Sequence, residues 1–315
     1  MNWRAATACV AYGAQYLFQT RLLRRRIPFI GGFVLTEQCN LGCEHCTVAN
    51  SGIPDMTWDE VCRGLESLRR KGIRLLALTG GEPMLWRDGK RRLEDVLAHA
   101  RHLGFQVISL YTNGTLPLKT SADTVFVSMD GLKKTSERLR GNDYDKVLSN
   151  IRDSRHPNLI VNCTINRRNA GELEEFTAFA TGIPQIKAVS FFFHTPYYGM
   201  DDLFLTMEEK RPIIDRILAL KRRFPICNSA AALRDVRNNS WQRPTDICVV
   251  YARNREFQCC RSIGNREACD NCGYMGYPEI LSLLKLRPSS ILEALAYLPQ
   301  GNNPEAQPER PAETG

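Results

Sequence analysis

The chain has 315 residues, of which 43% are hydrophobic and 24% are charged, as in an ordinary globular protein with a substantial core. Its net charge of +8 is modest and locally clustered, so no nucleic-acid partner is expected. Twelve cysteines at metal-like spacings in a long chain argue against a small disulfide-bonded secreted domain and predict a cytoplasmic protein.

The first predicted element is an amphipathic, basic helix within residues 1–30. Ala11, Ala14, Phe18 and Leu22 follow a helical repeat, and a run of arginines comes after them. The segment is too short and too polar to span a bilayer. Two placements remain open: the helix packs against the rest of the fold, or it lies on the anionic inner face of a membrane as a peripheral contact.

After this helix, strand-like and helix-like segments alternate along the chain. A threonine followed by a glutamate three residues later, Thr57 and Glu60, indicates a capping box at one helix start. Alternation of this kind predicts a parallel sheet with right-handed crossovers. The strand candidates are residues 31–37, 73–79, 105–111, 123–128, 158–165 and 186–193. The helix candidates are residues 57–71, 90–103, 144–154, 171–181 and 207–222.

Three cysteines follow the first predicted strand with the spacing C-x3-C-x2-C: Cys39, Cys43 and Cys46. A structural zinc site needs a fourth ligand, which nearby His45 could supply. Alternatively, three thiolates hold three irons of a [4Fe–4S] cluster and leave the fourth iron open. An open coordination position is typical of a catalytic metal site.

Other short motifs end the strands that follow. They are Gly80-Gly81-Glu82-Pro83 after the second strand, Thr112-Asn113 after the third and Ser128-Met-Asp130 after the fourth. Together with the cysteine triplet, these motifs resemble those of the radical S-adenosylmethionine (SAM) enzymes. The resemblance covers residues 31–225 and implies an α/β fold, a partial (βα)6 TIM-like barrel. It also implies a [4Fe–4S] cluster, SAM bound at the open iron, and a reductant such as flavodoxin or ferredoxin.

The resemblance further implies which residues bind SAM. An aromatic position precedes the third cysteine near the adenine, the two glycines let the backbone approach the ligand, and the glutamate accepts hydrogen bonds from the ammonium group. Polar side chains at later strand ends bind the ribose and the carboxylate. The implied set is His45, Gly80, Gly81, Glu82, Thr112, Asn113, Ser128, Asp130, Arg140 and Asn162. His194, Tyr197 and Tyr198 follow the sixth strand and are predicted to contact the substrate.

Residues 226–297 form a cysteine-rich segment, in which a short hairpin leads to Cys259 and Cys260. It resembles the SPASM or twitch extensions of radical SAM enzymes, which hold auxiliary clusters. The implied ligands of a second iron–sulfur cluster are Cys248, one of Cys259 and Cys260, Cys269 and Cys272. Zinc and no metal remain alternatives. Residues 298–315 are predicted to be disordered.

The expected reaction is reductive cleavage of SAM to a 5′-deoxyadenosyl radical, which removes a hydrogen atom from a substrate. The basic helix favours a small molecule or lipid as substrate, with a layout similar to the adenosylhopane-forming family. The alternative is a peptide-modifying maturase, because auxiliary clusters are frequent among those enzymes. A non-catalytic iron–sulfur electron-transfer protein is a third class, but it would not need the Gly80-Gly81-Glu82 motif.

Overall fold

A computed structural model describes residues 3–46, 48–196 and 201–297, with the backbone alone at residues 3–6. The tail that was predicted to be disordered, 298–315, lies outside the described residues. The fold is α/β, as predicted, and its strands belong to one sheet. The strands are β1 (Ile30–Thr36), β2 (Leu75–Gly80), β3 (Val107–Thr112), β4 (Thr124–Ser128), β5 (Leu159–Ile165), β6 (Ile186–Phe193), β7 (Cys248–Ala252) and β8 (Arg255–Gln258).

The strand order is β6-β5-β4-β3-β2-β1-β7-β8. Strands β1 to β6 are parallel and each pairs with the next in sequence, the arrangement predicted for a partial barrel. Strand β7 adds a parallel neighbour on the other side of β1, with Ile30 opposite Cys248. Strand β8 returns antiparallel through Arg253 and Asn254, whose positive φ angles suit a tight hairpin turn. The predicted hairpin is therefore confirmed, and it extends the same sheet as the core.

Helices connect the parallel strands. Those predicted from the sequence begin and end within three residues of the predicted bounds, and the capping box forms, since Thr57 N donates to Glu60 Oε2 at 2.8 Å. The sequence analysis did not predict α4, α8, α10 or α11. The helices are α1 (Trp3–Leu17), α2 (Trp58–Arg70), α3 (Leu93–His102), α4 (Lys133–Arg140), α5 (Tyr144–Asp153), α6 (Leu173–Thr181), α7 (Met207–Leu220), α8 (Ala230–Arg237), α9 (Arg266–Asp270), α10 (Gly276–Leu284) and α11 (Pro288–Ala296).

The two faces of the sheet carry different side chains because strand residues alternate. Large residues such as Phe33, Leu78 and Leu110 are fully buried in the core that the helices cover. Each such side chain contributes roughly 2 kcal/mol by burial. The opposite face carries smaller residues, including Gly32 and Ala77, and these leave open space inside the curved sheet.

The N-terminal helix α1 packs on the fold through two tyrosines. Tyr12 and Tyr16 are 6% exposed, and their hydroxyls donate to Phe29 O at 2.8 Å and Ile27 O at 3.1 Å. The helix is confirmed, but its predicted apolar stripe is not the buried face: Phe18 is 53% exposed and Leu22 is 71% exposed. A π-helical turn, Phe18–Leu22, ends the helix. None of the helices in the described part of the chain has the length and apolarity that crossing a membrane requires.

Candidate active site

A cavity of about 560 Å³ lies inside the curve of the sheet. Its size falls in the range of small-molecule pockets. Apart from Gly80, Thr112 and Phe193 at strand ends, alternate residues of the strands line it, so its wall follows from the period-two pattern of the sheet. The alternating strand residues on this wall are Ile30, Gly32, Val34, Ala77, Thr79, Ser109, Tyr111, Phe126, Ser128, Asn162, Thr164, Ser190, Phe192, Cys248 and Val250.

The first cysteine set, Cys39, Cys43 and Cys46, lines this cavity from the loop after β1. The Cys39 sulfur accepts hydrogen bonds from Leu41 N at 3.4 Å and Asn113 Nδ2 at 3.6 Å. Burial raises the pKa of Cys43 to about 11, and the nearby Arg140 guanidinium partly offsets that increase. The loop therefore presents three thiols to one space, with polar groups that can stabilise negative charge on sulfur.

Two glycines after β2 allow this cysteine loop to dock. A Cβ atom at Gly80 would lie 2.4 Å from Thr36 O, and one at Gly81 would lie 2.2 Å from Gln38 O. The backbones are also joined, since Gly81 N donates to Thr36 O at 2.8 Å. Only glycine fits such an approach, so the motif fixes the segment that leads into the first cysteine set.

Glu82 joins the ends of two neighbouring strands. Its side chain is fully buried and does not line the cavity. Its carboxylate accepts hydrogen bonds from Asn113 N at 2.6 Å, Thr112 Oγ1 at 2.9 Å and Met84 N at 3.0 Å. Burial raises its pKa, which these hydrogen bonds partly counter. Glu82 therefore ties the end of β2 to the end of β3, and its contact with a SAM ammonium stays a prediction.

Thr112 and Asn113 line the cavity, and Asn113 also holds its cysteine loop. Besides its contact with Cys39, the Asn113 amide donates to Asn40 Oδ1 at 2.9 Å. Ser128 and Asn162 are register partners on β4 and β5, and both side chains line the cavity. The Asn162 Oδ1 atom is buried and has no hydrogen-bond partner within the described residues. An open acceptor in a cavity wall is a place where a ligand donor fits.

Asp130 is fully buried behind this wall rather than on it. Its carboxylate accepts from Arg140 Nε at 2.5 Å and Thr164 N at 2.6 Å, and it lies 3.5 Å from His45 Nε2. Asp130 therefore positions Arg140 and His45, which both line the cavity, and its own contact with SAM stays a prediction. Burial lowers the pKa of His45 to about 4, so its imidazole is neutral at neutral pH. Its Nδ1 has no hydrogen-bond partner among the described residues.

The second cysteine set lines the same cavity, on the side between β6 and β7. Its members are Cys248, Cys259, Cys260, Cys269 and Cys272. Cys248 begins β7, and its carbonyl accepts from Cys259 N at 2.8 Å. The knuckle that holds Cys269 and Cys272 docks on the other side of the gap, because Phe193 N donates to Gly273 O at 3.0 Å.

The sulfurs of the second set are close enough to interact electrostatically. The nearby Cys260 raises the thiol pKa of each of the other four cysteines, which are Cys248, Cys259, Cys269 and Cys272. Cys259 adopts a positive φ of 67°, a conformation unusual for a non-glycine residue.

Cationic side chains surround the second set. Arg243 and Lys210 lie near Cys272, where both lower its pKa against the larger effect of burial. Lys210 is fully buried, and its ammonium donates to Asn271 O at 2.7 Å, between the two knuckle cysteines. The Arg261 guanidinium likewise lowers the pKa of the neighbouring Cys260. These cations can offset the negative charge that several thiolates would bring.

Glu37 connects the two cysteine sets. It follows β1 and is 6% exposed, and its carboxylate accepts from Arg253 Nε at 2.7 Å and from Arg261 Nη1 at 3.1 Å. Ser51, beyond the first set, donates to the same carboxylate. Burial alone would raise the pKa of Glu37, but the hydrogen bonds from Arg253 and Ser51 bring it below its usual value.

The cavity wall also contains residues that the sequence analysis did not single out. Tyr111 stacks on Phe126 with ring centroids 4.6 Å apart. Glu279 of α10 accepts from Ser229 N at 2.9 Å, and burial raises its pKa to about 8. Tyr111 lies on a predicted strand, whose alternation accounts for its place on the wall, whereas no pattern in the sequence marks Glu279, because α10 was not predicted.

Beyond β6, the structure describes one of the three residues that were predicted to contact the substrate. His194 lines the cavity, and its Nε2 lies 2.7 Å from Asp201 Oδ2. Tyr197 and Tyr198 lie outside the described residues.

No three Cys, His, Asp or Glu side chains within residues 3–46, 48–196 and 201–297 converge on a position for a single metal ion. Each cysteine set instead borders open space in the cavity. Thiolates are the ligands of iron–sulfur clusters, so the donor chemistry at both places fits such a group.

Comparisons with known proteins agree with this geometry. The sequence model of the radical SAM superfamily matches residues 33–180. Pre-heme d1 synthase of Dinoroseobacter shibae is 31% identical over 156 residues, which are 45% of this chain and 37% of that protein. Molybdenum cofactor biosynthesis protein 1 of Bos taurus is 29% identical over 203 residues, 58% of this chain and 31% of that protein.

Among solved structures, Streptococcus suis SuiB bound to precursor peptide SuiA has a TM-score of 0.59 at 15% identity. The match covers 75% of this chain and 60% of that one, and at this identity it shows a common fold. The chain spans about a third of the length of the two curated relatives. The superfamily model covers β1 to α6, including the cysteine loop and the glycine motif, so residues 33–180 match the radical SAM superfamily, whose members use a [4Fe–4S] cluster and SAM.

Proposed function

We propose that this protein is a radical SAM enzyme that generates a 5′-deoxyadenosyl radical and removes a hydrogen atom from a small molecule or lipid. The observation that carries the proposal is a single cavity lined by both cysteine sets, with small and polar side chains between them. This arrangement leaves room for SAM and a substrate beside the first set. A second cluster would lie within reach of the same space.

In this proposal the first cysteine set holds a [4Fe–4S] cluster by three thiolates. Gly80 and Gly81 fix the approach to that loop, while Glu82 and Asn113 hold it from the side of β3. Neutral His45, with its free Nδ1, faces the adenine of SAM. Ser128, Asn162 and Arg140 supply polar contacts for the ribose and carboxylate.

When bound, the cluster supplies the electron that cleaves SAM, after its own reduction by a protein such as flavodoxin or ferredoxin. The residues of this chain position the reactants and exclude water from the radical. The apolar wall that Val34, Phe126 and Phe192 form is suited to that task, because it offers few polar groups for ordered water.

The second cysteine set is proposed to hold an auxiliary iron–sulfur cluster, as the resemblance to SPASM and twitch extensions implies. Its ligands are Cys248, Cys269, Cys272 and one of Cys259 and Cys260, which both line the cavity. Lys210, Arg243 and Arg261 then balance the charge of the cluster.

The volume of the cavity supports the substrate class. A space of about 560 Å³ must hold SAM as well as the substrate, which favours a small molecule or the end of a lipid over a folded peptide segment. A non-catalytic electron-transfer protein would not need this internal space.

Cleavage of SAM tests the proposed activity. Anaerobically reconstituted protein with SAM and dithionite is expected to form 5′-deoxyadenosine, whereas Cys43→Ala is expected to form none. Cys62→Ala is the matched control, because Cys62 lies on α2 outside the cavity lining. Production of 5′-deoxyadenosine by Cys43→Ala, or its absence from the parent, would contradict the assignment.

Iron content tests the second cluster independently. The parent is expected to bind about eight irons, and Cys269→Ala combined with Cys272→Ala about four. Of Cys259→Ala and Cys260→Ala, the variant that removes the fourth ligand should lower the iron content in the same way, and the other should leave it near that of the parent. A parent stoichiometry of about four irons would rule out the auxiliary cluster.

A further inference from the structure

Large hydrophobic side chains are exposed along two segments of the described structure. Val10, Phe18, Leu22 and Leu23 lie on α1 and the turn that ends it, and Leu22 is 71% exposed. Leu286, Leu292 and Leu295 lie in the linker after α10 and on α11, and Leu292 is 66% exposed. These seven residues are here called the apolar patch.

A direct contact joins the two segments. The Arg21 guanidinium donates from Nη2 to Leu284 O at 2.6 Å, at the last residue of α10. Leu286 follows two residues later. The two parts of the patch therefore meet where the end of the N-terminal helix touches the end of α10.

Helix α1 has a buried inner face that is separate from the apolar patch. Tyr12 and Tyr16 already anchor the inner face of α1, with the Tyr12 ring stacked 5.0 Å from Phe29. The exposed apolar residues of the outer face are therefore not needed to pack α1 on the fold. Contiguous exposed apolar residues of this kind mark a surface that another partner covers.

The charges beside the patch indicate the chemistry of that partner. Residues 1–36 contain five arginines and neither aspartate nor glutamate. Four of these arginines, Arg21, Arg24, Arg25 and Arg26, are exposed next to Leu22 and Leu23, and Lys285 is exposed next to Leu286. An apolar face rimmed by cations is complementary to an anionic lipid surface, where the apolar residues enter the headgroup boundary and the cations pair with phosphates.

We propose that the apolar patch and its arginines dock this protein on an anionic membrane surface. The residues after Tyr297 are a poor alternative occupant, because residues 299–315 contain three glutamates, one arginine and no large apolar residue. Helix α10 extends from this surface to the cavity, which it lines through Tyr277, Glu279 and Ile280. The inference goes beyond the proposed activity and does not depend on it.

Co-sedimentation of the full chain with vesicles tests the proposal. Phosphatidylcholine vesicles that contain phosphatidylserine should pellet the parent protein, and pure phosphatidylcholine vesicles should not. Arg24→Gln combined with Arg25→Gln is expected to lower partitioning about 30-fold, since each charge near the surface contributes roughly a factor of five. Arg87→Gln with Lys90→Gln removes the same charge from an exposed site elsewhere and should change partitioning little.

A second variant tests the apolar part. Phe18→Gln with Leu22→Gln should lower partitioning about tenfold or more without changing 5′-deoxyadenosine formation in vesicle-free solution. Equal partitioning of the two charge variants would overturn the proposal, as would equal binding to both vesicle types. Binding that requires removal of residues 298–315 would assign the patch to that segment instead. A change in the oligomeric state of Phe18→Gln/Leu22→Gln, with unchanged vesicle binding, would assign it to a second copy.

Discussion

Replacement of Glu279 by glutamine is expected to stabilise the protein increasingly as pH rises. The carboxyl group lies against Ser229 at the start of α8, and burial raises its pKa from 4.5 to about 8. Between these two values the native state holds a proton that the unfolded chain releases. Stability of the parent therefore falls as pH rises through this interval, whereas a neutral amide does not titrate.

The expected size follows from the two pKa values. A difference of 3.5 between 4.5 and 8 corresponds to about 5 kcal/mol over the full interval. About 3 kcal/mol of this develops between pH 5.5 and pH 8.5. That is an upper value, because part of the Glu279 side chain faces the cavity.

Thermal unfolding under anaerobic conditions measures the effect. For a chain of this size, 1 kcal/mol of stability corresponds to roughly 2 °C in Tm. The Tm difference between Glu279→Gln and the parent should therefore increase by about 6 °C between pH 5.5 and pH 8.5. Glu175→Gln is the control, since Glu175 is exposed on α6. A Tm difference between Glu279→Gln and the parent that stays constant with pH would refute the reasoning.

Three further substitutions test the parts of the site separately. Gly81→Ala should lower the iron content by about four per chain, because the new Cβ would lie 2.2 Å from Gln38 O. Gly171→Ala is the control and should leave the iron content unchanged, because a Cβ at that position would have no atom within 4 Å. Ser128→Ala should weaken SAM binding about tenfold in equilibrium dialysis with iron unchanged, and loss of iron would contradict its assignment. Glu37→Gln should lower the unfolding free energy by about 2 kcal/mol at pH 7. Urea titration should find this loss diminishing as pH falls below 4.5 towards the lowered pKa of the native carboxylate, because protonation then removes the charge from the parent as well; an unchanged midpoint at pH 7 would count against it.

The sequence predicted the sheet well because each buried strand carries its own local signal. The six core strands and the helices between them follow apolar runs of the expected length, and the capping box at Thr57 marks a helix start by chemistry that needs no tertiary contact. The cysteine triplet could be recognised equally well, since its three thiols are close in sequence. Site residues near strand ends follow from the same register.

Tertiary packing decides what the sequence could not show. The apolar repeat at Phe18 leaves open whether that face packs on the fold or lies on a membrane surface, and the structure shows that two tyrosines on the other side of α1 make the packing contacts. Glu82 follows the expected motif, yet neighbouring backbone amides turn it away from the cavity. Lys210 sits in a predicted helix, and only the fold shows that it is fully buried beside Cys272.

The pairing of β7 with β1 changes how the two cysteine sets should be regarded. A segment predicted as a separate extension enters the sheet beside the strand that leads into the first set. Its hairpin turn carries Arg253 and its exit carries Arg261, and both donate to Glu37, just ahead of the first cysteine. Since this one carboxylate balances two cations of the second segment, displacement of that segment would leave Glu37 as an uncompensated buried charge. The geometry of the first cysteine loop therefore depends on the ordering of the second, and the two sets act as walls of one site.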